Sequence, residues 1–334
     1  MTSQANLSTA EQHFRELMLA QSGTLSNWAT WDGNHFWTSS GRDASIAYRK
    51  SGRVALVVTE PLGGLDHVSL GEFITFCRSE KLTPSFYCAD HQTKELLRTF
   101  GWKHLEIGKE ALIRPEEFGK TKKLSRVIRH VNSRAQRIQV SAHWKNSQEI
   151  DDDCRTQIET LLNESNRGRR MPALGFTIGN GRELSQPNVA VILAINSKNE
   201  VCGFTSWLPV YRDGKVVGRT LETIARKRHS FSGIGDYMIA ASIQRFSLEG
   251  LEIASLSGVP LARHHSDSVT KISRGDFLLK SLGRILEPIY GVSGLLRFKH
   301  KFNPHYRDLY LVFPKSLDLP KILVAVALAY FRNY

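Results

Sequence analysis

Cysteine is scarce and scattered in this chain. Cys77, Cys88, Cys154 and Cys202 contain no Cys-x-x-Cys pair. Neither a zinc spacing nor a disulfide framework is legible, so a reducing, cytoplasmic setting is expected. Long apolar runs are missing too. The longest, "ILVAVALAYF" at 322–331, falls well short of the ~20 residues of a spanning helix and reads as a packed C-terminal helix. The amino terminus, "MTSQANLSTAEQHF", lacks the basic-then-apolar pattern of a secretory signal. There is no P-loop, no Gly-x-Ser-x-Gly, no His-Glu-x-x-His and no Gly-x-Gly-x-x-Gly. The adjacent His264 and His265 are too little to hold a metal, and none is expected. Acidic charge is also short, with 32 Asp and Glu against 45 Lys and Arg, a formal net charge of +13. That excess points to an anionic partner: nucleic acid, an anionic membrane or an acidic substrate.

What is present is an alternation of strands and helices, run through twice. The 334 residues exceed one comfortable core, so two domains are expected. Residues 8–22 predict a helix capped by Ser8, with Glu11 three residues on. "NHFWTS", "ASIAYRKS" and "RVALVVTE" read as strands, and "PLGG" as a turn. "VSLGEFITFCRSEKL" and "TKELLRTFGW" predict helices, each followed by a strand, "PSFYCA" and "HLEIGKEALIRP". The second half repeats the order: a helix at "DDDCRTQIETLLNES", three strands between residues 188 and 226, a helix at "GIGDYMIAASIQRFSLEG" and a strand at "LEIASLSGVPLA". "YGVSGLLRFKHKFNPHYRDLYLVFP" supplies a further helix and a strand, with "YLVF" as the last strand of a second sheet. The pattern is α/β, with the order of an internal duplication. We expect an N-terminal domain over 1–118, a basic connecting helix and linker over 119–150, and a C-terminal catalytic domain over 151–334.

Residues 119–137 stand apart. Leu124, Val127, Ile128 and Val131 fall on one helical stripe, while Lys122, Lys123, Arg126, Arg129, Arg134 and Arg137 occupy the other faces. With no acidic residue in that stretch, an anion-binding helix is expected, the alternative being a solvated structural connector. A second constellation is spread more widely. Glu222 and Arg226 lie near a strand end, Asp236 opens the following helix, and Ser255 and Ser257 end the next strand. Tyr290, Arg297, Lys299 and Lys301 follow. In α/β folds, strand ends and helix starts converge on one rim. Carboxylates there bind an amine, and cations bind phosphate or an oxyanion. The two together suit an aminoacyl group on a phosphate-rich carrier.

The segments "KNEVCGFTSWLPVY", "TLETIARKRHSFSGIGDYMIAASIQRFSLEGLEIASLSGVPLA" and "YGVSGLLRFKHKFNPHYRDLYLVFP" resemble the catalytic domain of bacterial phosphatidylglycerol lysyltransferases, the multiple peptide resistance factors. "ASIAYRKSGRVALVVTEPLGG" and "GKTKKLSRVIRHVNSRA" extend the resemblance to roughly residues 25–330. It implies tandem acetyltransferase-like (GNAT) domains that pass an amino acid from aminoacyl-tRNA to a lipid hydroxyl, with aminoacyl-tRNA as co-substrate and no cofactor. Relatives act on sterols, and one similar enzyme transfers serine to a hydroxylamine, so the acceptor is a lipid or a small metabolite. Family members that modify membrane lipid usually carry a large N-terminal transmembrane domain, whereas this chain begins at the catalytic part. Peripheral contact with the inner membrane face is expected. The resemblance implies catalytic roles for Glu222, Asp236, Lys299 and Lys301. It gives substrate contacts to Arg226 and Tyr290, to which the rim constellation adds Ser255, Ser257 and Arg297, and the basic 119–137 helix is expected to contact tRNA. Glu222 stands where the family has a shorter Asp. A non-catalytic basic module for membrane or RNA, on a degenerate transferase fold, is the alternative.

Overall fold

In the computed structural model the described residues are 8–167, 181–260 and 292–331. The chain opens with α1 (Thr9–Ala20), whose first turn is capped by Ser8 accepting the Glu11 N–H at 3.2 Å. The first half continues with β1 (His35–Thr38), β2 (Ala44–Ser51), β3 (Val54–Val58), β4 (Leu62–Gly63), α2 (His67–Ser79), β5 (Thr83–Ala89), α3 (His91–Thr99) and β6 (Lys103–Ile113). The second runs α4 (Lys122–Arg137), β7 (Val140–Asn146), α5 (Asp152–Arg167), β8 (Ala190–Asn196), β9 (Val201–Arg212), β10 (Lys215–Arg226), α6 (Ile234–Leu248) and β11 (Ile253–Pro260). It ends with α7 (Val292–His300), β12 (His305–Phe313) and α8 (Leu319–Phe331).

All described strands form one mixed sheet, ordered β1-β2-β3-β5-β12-β6-β11-β10-β9-β8-β7, with β4 beside β2. Two sheets were expected, with "YLVF" at the end of the second. Instead β12 lies inside the first half, antiparallel to β5 on one side and β6 on the other. β6 in turn lies between β12 and β11. Each half therefore lends a strand to the other, and the sheet runs without a break past residue 118. The duplication is visible as two parallel pairs, β3 with β5 across α2, and β10 with β11 across α6. The architecture is the expected α/β one of tandem acetyltransferase-like units.

Periodicity explains how the layers form. β3 is buried at all five positions. Val54, Leu56 and Val58 meet Ile322, Ala325 and Val326 of α8, while Ala55 and Val57 meet Leu70 and Phe73 of α2. Alternate residues of one apolar run thus feed two layers, as a strand buried on both faces requires. In the second half, α4 and α6 cover one face and α5 the other. Two local expectations need amendment. "PLGG" holds the short strand β4, paired with Ala44 and Ser45. β7 was not foreseen: "VSAHWKN" forms an edge strand in which only Val140 is buried, although Val140, Ala142 and Trp144 alternate with polar residues. Among the described residues no helix is long and apolar enough to cross a membrane.

Candidate active site

The site begins where the sheet comes apart. β10 and β11 pair in parallel only from Gly218/Ile253 to Thr220/Ser255. The strands crowd at their first pair: a Cβ on Gly218 would sit 2.4 Å from Ile253 Cγ2. Beyond Thr220 they diverge. β10 skips a residue between Leu221 and Thr223 in its pairing with β9, and β11 is irregular between Ser255 and Gly258 in its pairing with β6. Bulges re-aim side chains. A cavity of about 200 Å³ opens at this splay. Its walls are drawn from both halves: Trp28, Tyr87 and Ile107 from the first, Leu221 and Leu256 from the second, and Tyr330 from α8. The Tyr87 and Tyr330 hydroxyls are 2.7 Å apart.

Among the described residues, two charged side chains face this largely apolar space, Glu222 and Lys299. Trp28 donates its indole N–H to Glu222 Oε2 at 3.3 Å, so a first-half residue orients a second-half carboxylate. Lys299, in the last turn of α7, is only 3% exposed. Its Nζ donates to the carbonyls of Ser257 and Gly258, each at 3.0 Å. Ser257 adopts a left-handed φ of 69°, at the irregularity of β11. Burial pulls the Lys299 amine down from 10.5 to about 7, against the opposing pull of Glu110. A neutral amine has two N–H bonds and one lone pair. With two carbonyls taking the N–H groups, the third position of the nitrogen is left for the cavity. Such an amine can accept a proton near neutral pH and return it.

The structure distributes the remaining expected residues around this centre. Ser257 lines the cavity. Ser255 is fully buried and donates to Glu110 Oε1 at 2.5 Å. Asp236 and Lys301 pair with each other at 3.0 Å, bridging the first turn of α6 to the residue after α7. Arg226 and Arg297 are exposed. Tyr290 lies outside the described residues. On α4, Leu124, Ile128, Val131 and Ala135 are buried, and Lys122, Lys123, Arg126, Arg129 and Arg137 are exposed. Arg134 is half-buried, with its guanidinium 6.0 Å from the centre of the Phe231 ring. Among the described residues no group of three or more His, Cys, Asp or Glu is placed to share a metal ion.

Sequence reasoning missed Trp28 and Tyr87, because nothing local ties them to the second half, and Tyr330, because nothing local ties the last helix to this cavity. It also missed Glu110 and Arg307. Each shares its strand with other charged residues, Lys103, Glu106 and Lys109 on β6 and Asp308 on β12, so no local signal singles it out.

The family model described as phosphatidylglycerol lysyltransferase, C-terminal, matches residues 15–313. An uncharacterized protein of Corynebacterium glutamicum is 29% identical over 97% of this chain, which spans 41% of that protein. The phosphatidylglycerol lysyltransferase of Bacillus subtilis is 22% identical over 85% of the chain, which spans 32% of it. The chain thus spans less than half the length of these curated relatives. The solved structure of L-PGS from Bacillus licheniformis superposes with a TM-score of 0.81 at 20% identity, covering 96% of this chain and 97% of that one. A splayed tandem sheet, a cavity at its seam and a sequence match from end to end of that sheet converge: the chain belongs to the phosphatidylglycerol lysyltransferase C-terminal family.

Proposed function

We propose that the chain moves an amino acid from aminoacyl-tRNA to a hydroxyl, or to a hydroxylamine or amine, of either a lipid such as phosphatidylglycerol or a small metabolite. The observation that carries this reading is the buried Lys299 amine, held by two carbonyls and sharing an apolar cavity with Glu222; burial lowers its pKa to about 7. An aminoacyl ester is already activated, so catalysis needs positioning and proton transfer. Glu222 binds the α-ammonium of the aminoacyl group. With a hydroxyl acceptor, Lys299 takes the hydroxyl proton as the hydroxyl oxygen attacks the ester carbonyl. The tetrahedral intermediate expels the ribose oxygen, and the Lys299 ammonium protonates it. The net change is one ester bond formed and one broken, with no cofactor in the balance. Ser257 contacts the acyl group from the cavity wall. Lys301, Arg226 and Arg297 meet phosphates of the tRNA end at the rim, and the exposed face of α4 meets more distant ones. Asp236 holds Lys301 in place. A peripheral position at the inner membrane face fits a lipid acceptor. A non-catalytic binding module would have no use for a buried lysine poised near neutrality.

The test is to incubate the protein with each labelled aminoacyl-tRNA and either phosphatidylglycerol vesicles or small acceptors. Acceptor-dependent loss of the tRNA ester, abolished in Lys299→Ala, is expected. Deacylation that no acceptor stimulates would refute the reading.

A further inference from the structure

Three strands meet beneath Lys299. Glu110 of β6 is completely buried. Its Oε2 accepts from Arg307 of β12, from Nε at 3.1 Å and Nη2 at 2.5 Å. Its Oε1 accepts the Ser255 hydroxyl of β11 at 2.5 Å. Ser255 Oγ in turn accepts the Ser257 N–H at 2.9 Å. That bond closes the irregular turn of β11, where Ser257 is left-handed. The turn presents the carbonyls of Ser257 and Gly258 to Lys299. Arg307 is anchored from its other side by Thr24 Oγ1 at 2.9 Å. An unbroken set of hydrogen bonds therefore runs from the strand exchanged between the halves to the amine at the cavity.

We propose that Glu110 is a positioning residue for Lys299: through Ser255 and the β11 turn it sets where the amine points, and its charge acts on that amine directly. The proposal rests on reading the cavity as the transfer site. Among the described residues, the titratable groups that share the cavity with Lys299 are Glu222 of β10, Tyr87 and Cys88 of β5, and Tyr330 of α8; Glu110 of β6 acts on the amine by its charge and is itself paired with Arg307 of β12. Among them Glu110 is the carboxylate whose field favours the ammonium against the burial that disfavours it. Replacing it with an amide removes that field, which pushes the amine toward its neutral form, while Arg307 keeps the opposing charge of Glu60. Removing the Ser255 hydroxyl does something different: it loosens the turn and moves no charge.

Glu110→Gln and Ser255→Ala separate these effects. The first readout is a carbon-13 NMR titration of the lysine ε-carbons, with Lys299 assigned by its absence in Lys299→Met. The wild-type midpoint is expected at about 7, and that of Glu110→Gln lower by about one unit. Ser255→Ala should keep the wild-type midpoint. The second readout is acceptor-dependent transfer against pH. Glu110→Gln should move the acidic limb in the same direction. Ser255→Ala should lower kcat by about tenfold at unchanged KM, as misplaced reacting groups do. An unmoved NMR midpoint in folded Glu110→Gln overturns the role of charge. An unchanged kcat in Ser255→Ala overturns the role of position, and does so even if Glu110→Gln does not fold. Absence of transfer in the wild type would count against the proposed function, while the NMR titration would still decide whether Glu110 governs Lys299.

Discussion

At Lys299, burial and the charge of Glu110 act against each other. The two carbonyls accept from the amine in either protonation state, Glu110 favours the ammonium, and burial favours the neutral form. This has a consequence for stability that does not depend on any substrate. In the unfolded chain the amine holds its proton up to about 10.5, and in the folded chain only up to about 7. Between those values the unfolded state binds more protons, so unfolding free energy rises with pH. Wild type should gain stability relative to Lys299→Met, on the order of a few kcal/mol, as pH rises from 7 to 10. Denaturant titrations at several pH values measure this, and a flat difference would mean that Lys299 keeps an ordinary affinity for protons. For transfer, the neutral amine is the active form of the base. Activity should climb through an apparent pKa of about 7, and that limb should vanish along with activity in Lys299→Met.

Among the elements, β10 and β11 create the site by pairing closely and then parting. Gly218 permits the close part: a Cβ there would lie 2.7 Å from the Ile253 carbonyl oxygen as well as against its side chain. Gly218→Ala should therefore destabilise by about 1–3 kcal/mol through overpacking, measured by denaturation; a neutral result would show that the strand pair yields easily. α4 supplies the second element-level prediction. Its exposed face carries Arg126, Arg129 and Arg137, and the helix has no acidic residue. Replacing these three with Ala should weaken tRNA binding and reduce the salt slope by about two. An unchanged slope would make α4 a structural connector. Much at this scale was legible beforehand. The Ser8 cap, the amphipathic stripe of α4 and the apolar run of β3 are local patterns, and local patterns survive folding. β7 was overlooked although Val140, Ala142 and Trp144 alternate with polar residues; as a sheet edge it buries only Val140.

Over the whole molecule, the exchange of β6 and β12 makes the two halves interdependent. No local signal in "HYRDLYLVF" says that it will lie between β5 and β6, because pairing partners are chosen by the assembled sheet. The same topology brings Trp28 to Glu222 and Arg307 to Glu110 across 194 and 197 residues of sequence. That is why sequence patterns brought forward Glu222 and Lys299 but not Trp28, Tyr87, Glu110, Arg307 or Tyr330. A chain ending at residue 304 would lack β12 and α8, strip partners from β5 and β6, and leave Glu110 buried without Arg307. It should fail to fold, as judged by circular dichroism and a cooperative melt. Native-like melting of that truncation would contradict the interdependence.

The central claim is that the cavity at the seam performs aminoacyl transfer through Lys299. Its most direct test is the rate at which labelled amino acid passes from aminoacyl-tRNA to phosphatidylglycerol or a small acceptor, measured for wild type and Lys299→Met in parallel. The account predicts acceptor-dependent transfer by the wild type and a loss of at least about a hundredfold in the variant. Equal rates in the two proteins would contradict it.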